Sequence, residues 1–152
     1  MIDDFLIIRE NSSWKFIKDD QIIYYASSSN RFLFRKIIKV FDASNKDYIV
    51  EIIDDSFAFF PFKRKIRFIT NECHTNIEST YKEMYFYIGK NKISIRYSVF
   101  REDGFYINDI KEGSFKIISE DYSNASFQIN TNSIENGFYF FLLHMIDDDW
   151  AI

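Results

Sequence analysis

The chain has 152 residues, 47% of them hydrophobic and 28% charged, with a formal net charge of −4. That suits a single domain over 1–152 with a sizeable core, and it argues against a general nucleic-acid binder, whose domain would be strongly basic. One proline, four glycines and one cysteine, Cys73, leave little room for disordered linkers and none for an internal disulfide, so a reducing, cytoplasmic setting is the simpler expectation.

The opening stretch MIDDFLIIRENSSW does not read as a signal peptide. Asp3 and Asp4 stand where a basic segment belongs, and the apolar run 5–8 is too short. From there the dominant pattern is short apolar-aromatic runs between polar turns. FLII (5–8), WKFI (14–17), QIIYY (21–25), RFLFRKIIKVF (31–41) and DYIVEII (47–53) read as strands, followed by KRKIRFI (63–69), YKEMYFYI (81–88), KISIRYSVF (92–100), GFYIND (104–109), GSFKII (113–118) and ASFQI (125–129). Aromatics, at 20% of the chain, fit pleated surfaces better than helix interiors. The separators carry turn chemistry, among them Ser27-Ser28-Ser29-Asn30, Gly89-Lys90-Asn91 and Glu112-Gly113. The clearest local unit is a hairpin turning at Gly89. After that turn Ile93, Ile95, Tyr97 and Val99 alternate with Lys92, Ser94, Arg96 and Ser98, which predicts one buried and one wet face.

After residue 129 the pattern changes. Asn130 to Ser133 is a polar break, and Asn132 with Glu135 resembles a helix N-terminal capping box. Phe138 to Ile146 is apolar except for His144, so a helix here would be apolar all round and belongs inside something. It is too short to span a membrane, which takes roughly 20 residues. Asp147, Asp148 and Asp149 are unfavourable at the negative end of a helix, so they are expected to mark its exit into solvent or to make specific bonds. The fold expected is mainly β: an antiparallel closed β-barrel of about 12 strands with a C-terminal hydrophobic helix filling it. The competing arrangement packs that helix on the outside of a sandwich.

Two stretches carry a family likeness. IIYYASSSNRFLFRKIIKVFDASNKDYIVEII (22–53) resembles the strand–strand–turn–strand unit of LURP-one-related proteins, and NGFYFFLLHMIDDDW (136–150) is similar to the buried terminal helix of the tubby C-terminal-like superfamily, which also includes the phospholipid scramblases. The resemblance implies a twelve-stranded barrel around a central helix. It also implies binding of phosphoinositides, which tubby proteins perform through basic residues on the barrel. The cysteine-rich segment and calcium loop of scramblase relatives have no counterpart here.

The one dense basic stretch is PFKRKIRF (61–68). On a strand Lys63, Lys65 and Arg67 share a face that could grip a phosphate or lipid headgroup, or could serve only as a solvated or edge-protecting face. Arg31, Arg35 and Lys39 pose the same choice. Asp147 to Asp149 lack a Gly-centred loop for calcium, and Glu72-Cys73-His74 lacks further ligands for a transition metal. No phosphate-binding Gly-rich loop, nucleophile elbow or HExxH occurs, so neither an enzyme nor a cofactor is expected. Three functions remain. The first is a non-enzymatic module binding an anionic phospholipid headgroup or similar ligand. The second is an intracellular bacterial adaptor or immunity-type protein whose acidic balance suits a basic protein partner. The third is a barrel holding an apolar ligand in an empty interior.

Overall fold

The structure, a computed structural model, describes residues 3–31, 35–54, 64–96, 104–121 and 124–150, with the backbone alone at 30, 31, 35 and 147–150. Twelve strands precede one helix: β1 (Asp3–Glu10), β2 (Ser13–Lys18), β3 (Gln21–Arg31), β4 (Arg35–Asp42), β5 (Tyr48–Asp54), β6 (Arg64–Phe68), β7 (Cys73–Ser79), β8 (Glu83–Ile88), β9 (Asn91–Arg96), β10 (Gly104–Ile107), β11 (Ile110–Glu120), β12 (Asn124–Thr131) and α1 (Ile134–Trp150). Each strand pairs antiparallel with its sequence neighbours. β1 pairs with β12, Phe5 against Ile129 and Ile7 against Phe127, and this closes the barrel. Closure removes the edges on which open sheets aggregate.

Alternation sends one side chain in two to the interior. Phe5, Ile7, Trp14, Phe16, Val40, Val50, Ile52, Ile66, Phe86, Ile93, Phe105 and Ile129 are buried there. The barrel closes around α1. Phe140 to Ile146 are buried without interruption, which no helix lying on a surface can achieve. Its rings meet five strands: Phe141 lies 5.0 Å from Phe16 of β2, Phe138 4.5 Å from Tyr24 of β3, Tyr139 6.4 Å from Phe86 of β8, Phe140 4.6 Å from Phe105 of β10, and His144 4.4 Å from Phe127 of β12. The helix therefore fills the barrel and does not pack outside a sandwich. At roughly 1.5–3 kcal/mol for each large apolar side chain buried, it is a main source of stability. It also takes space that an apolar ligand would need, which counts against the third function.

Two glycines make the fit possible. A Cβ on Gly113 of β11 would come 2.8 Å from the Phe140 ring, and one on Gly137 of α1 would come 3.0 Å from the Phe5 ring. At each contact a bare glycine leaves room for an aromatic ring of the facing element.

Several expectations need correction. Ser27 to Asn30 is not a turn: β3 continues through it, held by Ser13 opposite Ser27 on one side and Lys39 opposite Ser27 on the other. Beyond Ser27 the pairing is with β4, Ser28 to Asn30 against Ile38 to Lys36, and it overrides the local turn preference. Glu112 and Gly113 lie within β11 rather than between strands. β7 was not expected as a strand, because CHTNIES buries only Ile77 and shows no alternation. The helix cap is Ser133, whose Oγ accepts the Asn136 N–H at 3.1 Å, while Asn136 donates back to the Asn132 side chain at 3.0 Å. Asp147 to Asp149 lie in the last turn of α1, which has no basic residue to offset them, and their side chains lie outside the described residues.

The hairpin at Gly89 is as expected, with Ile88 opposite Asn91. Its second face is not wet. Ser94 is fully buried, and Lys92 and Arg96 are largely covered by residues that approach from β8 and from the β10–β11 turn. Tyr97 to Val99 lie outside the described residues.

Candidate functional site

The basic stretch singled out in the sequence falls on β6. Lys63 lies outside the described residues. Ile66 is buried in the core, so Lys65 and Arg67, its neighbours on the strand, project outward and are exposed. Register places Ile53 and Asn76 beside Lys65, and Glu51 and His74 beside Arg67. All of these except Asn76 line a groove of about 580 Å³ across the outer faces of β5, β6 and β7, with Phe68, Ile69 and Glu72 at its end.

An aromatic ladder lies beside this groove and touches it through Glu51. Tyr25 stacks on Phe41 at 5.1 Å, and Phe41 meets Tyr48 at 5.5 Å, so three rings from β3, β4 and β5 support one another on the outside of the barrel. Tyr48 in turn donates its hydroxyl to Glu51, and partial burial together with that carboxylate pushes the phenol well above the usual tyrosine range. Lys39 sits 5.6 Å over the Tyr48 ring. Glu51 also faces Arg67 at 3.5 Å. Arg67 is half exposed, and a pair of this kind contributes about 0–1 kcal/mol. It nevertheless matches the arginine's charge. Lys65 makes no ion pair among the described residues, so it is the cation of this face left to solvent.

The remaining candidates separate. Arg31 and Arg35 oppose each other in the backbone register of β3 and β4. Cys73 is exposed at the start of β7, opposite Phe68. His74 points into the groove beside Arg67 rather than toward a catalytic partner. His144 is buried in the helix, with Phe115 at 5.3 Å and Phe127 at 4.4 Å. No group of three His, Cys, Asp or Glu side chains that could hold a metal occurs among the described residues.

A second cluster, on the outer face of β8, β9 and β10, was not foreseen. Lys92 Nζ stands 2.7 Å from Glu83 and 3.5 Å from Asp109, while Arg96 stands 2.7 Å from Asp109 and 3.5 Å from Glu83. Lys92 lies 4.6 Å over the Tyr85 ring and Arg96 4.0 Å over Tyr106. Burial alone would lower the Lys92 pKa. The Glu83 and Asp109 carboxylates outweigh it and hold the ammonium above its usual range. Asp109 reaches the cluster because Asn108 and Asp109 both adopt positive φ in the turn, and the Asn108 side chain accepts the Lys92 N–H at 2.9 Å. Among the described residues two cations meet two anions, so their charges balance, and the cluster clasps three strands and one turn.

Comparison with protein-family models, with curated proteins and with solved structures gives no match. Among the described residues no helix is long and apolar enough to cross a membrane.

Proposed function

We propose that the protein is a non-enzymatic binding module that takes an anionic group, such as a lipid headgroup phosphate, on the outer face of β5–β7. The observation that carries this reading is the exposed, unmatched Lys65 in a groove flanked by Arg67 and His74. The buried helix supports it indirectly, since it occupies interior space that a ligand would otherwise use. The resemblance to tubby C-terminal-like proteins points the same way, because tubby proteins bind phosphoinositides through basic residues on the barrel. On this reading the module works in the cytoplasm, where the exposed Cys73 thiol stays reduced.

Liposome flotation with neutral and anionic vesicles at low and high salt tests it. Flotation is expected with anionic vesicles alone, weakened by salt and lost in Lys65→Glu. That variant breaks no ion pair, so its fold should be intact by circular dichroism. Failure to float with any vesicle, or flotation unaffected by Lys65→Glu together with Lys63→Glu, would reject the reading.

A further inference from the structure

The groove across β5, β6 and β7 holds a charge balance that one residue can tip. Lys65 and Arg67 supply two cations, and Glu51 and Glu72 two carboxylates, so among its described lining residues the fixed charges are equal in number. His74 lines the same groove, and histidine is the only residue type there that ordinarily gains or loses a proton between about pH 5 and pH 8. Register sets its place. His74 stands opposite Arg67, where Cβ atoms are about 5 Å apart, and Lys65 is its diagonal neighbour at about 7–8 Å. The imidazole is exposed, so no burial opposes its protonation. Ile53 beneath the cations is only 8% exposed, and an apolar wall lets nearby charges act on one another more strongly than they would in bulk water.

The other groups around His74 leave this balance as it is. Glu51, beyond Arg67, is engaged by that arginine and by Tyr48. Glu72 precedes β7 at the end of the groove, and Cys73 adjoins His74 along the chain. On the far flank β8 registers with β7 at Glu78 and Ser79, opposite Tyr85 and Met84, and turns Tyr87 and the Gly89-Lys90 turn toward the His74 end. We propose that His74 is the pH gate of this site: the groove holds a singly charged phosphodiester- or sulfate-type anion when the imidazole is protonated and releases it as the pH rises toward about 8. This rests on the anion reading of the same groove and adds the condition under which the anion is held. Without an anion the protonated ring faces two cations. A bound anion offsets that repulsion and accepts the new N–H, so proton and anion favour each other's binding.

The probe must keep its own charge across the range. A phosphodiester and sulfate do so, whereas a phosphate monoester, with a second pKa of about 6, does not. The full chain is floated at about pH 5.5 and about pH 7.5 with vesicles of phosphatidylcholine, alone and mixed with phosphatidylglycerol, and inorganic sulfate binding is followed by NMR at the same two values. Affinity should be about three- to fivefold higher at the lower pH. His74→Gln should abolish that difference and keep the binding seen at the higher pH. His74→Arg should bind at both values as the parent binds at the lower one. His144, the other of the two histidines, is unaltered in both variants. Enhancement confined to the vesicles identifies a headgroup as the source of the anion, and enhancement with sulfate as well identifies a free anion; either supports the gate. Acid also lowers the negative charge of the whole protein, so the variants decide. An enhancement that persists in His74→Gln, or that His74→Arg fails to reproduce at the higher pH, overturns the gate and leaves the anion reading standing. Binding to no probe at either pH overturns both.

Discussion

The outer faces of β8–β10 and β5–β7 are built from the same ingredients and end in opposite states. Each has a tyrosine beneath a cation, a glutamate between strands and an arginine beside it. On β8–β10 the glutamate, Glu83, is only 4% exposed and each cation finds two carboxylates. On β5–β7 Glu51 serves Arg67 and Tyr48, and Lys65 is left over. The difference comes from the turn that follows. Asn108 and Asp109 fold back over β9 and deliver the fourth charge, whereas on β5–β7 the adjacent strand β7 brings His74 and Asn76 to the same rank. A closed charge set holds strands together, and an open one is free to bind.

Breaking the closed set should cost most. Glu83→Ala leaves Lys92 and Arg96 largely buried with one carboxylate between them, and is expected to destabilise the protein by about 3 kcal/mol in urea unfolding. Lys92→Ala comes next, at about 2 kcal/mol near neutral pH, and its effect carries a pH signature. The Lys92 pKa is raised in the folded state, so its contribution is complete below the ordinary lysine value of about 10.4 and is lost as pH rises through the folded value. The gap between the parent and Lys92→Ala should therefore narrow in unfolding curves taken above about pH 11. On the open face Arg67→Ala should cost no more than about 1 kcal/mol. Lys65→Ala should move stability by less than about 0.5 kcal/mol, while changing whatever anion binding the face performs. If Arg67→Ala proved as costly as Glu83→Ala, the contrast between the faces would collapse.

The sequence made the scaffold legible where one strand face carries the core. Runs such as FLII, YIVEII and EMYFYI alternate or cluster apolar residues, and the all-apolar segment around Phe141 has no place but an interior. β7 was hidden because it contributes a single buried side chain, Ile77, to the barrel. The hidden half of β3, SSSN, is a strand by virtue of its pairing with β4, joined by β2 at Ser27, and not by its own preferences. The candidate site was half legible for the same reason. Lys65 and Arg67 announce themselves by spacing along one strand. Glu51 and His74 reach Arg67 only through the register of β5, β6 and β7, which no spacing within a strand records. Likewise the polar face of β9 looked solvated, since its cover comes from Glu83 and Asp109, each more than ten residues from Arg96 along the chain.

The order of the elements has a consequence for biosynthesis. β1 emerges early but has its closing partner only in β12, and the side chains that both strands turn inward wait longer still, for α1. At about 5–20 residues per second, the interval between synthesis of Phe5 and of Ile129 is on the order of ten seconds. During it the aromatic inner faces of eleven strands have no helix to cover them. Such a nascent chain exposes the kind of apolar surface that makes folding intermediates prone to aggregate, and a message interrupted before Ile134 would yield a sheet without its centre.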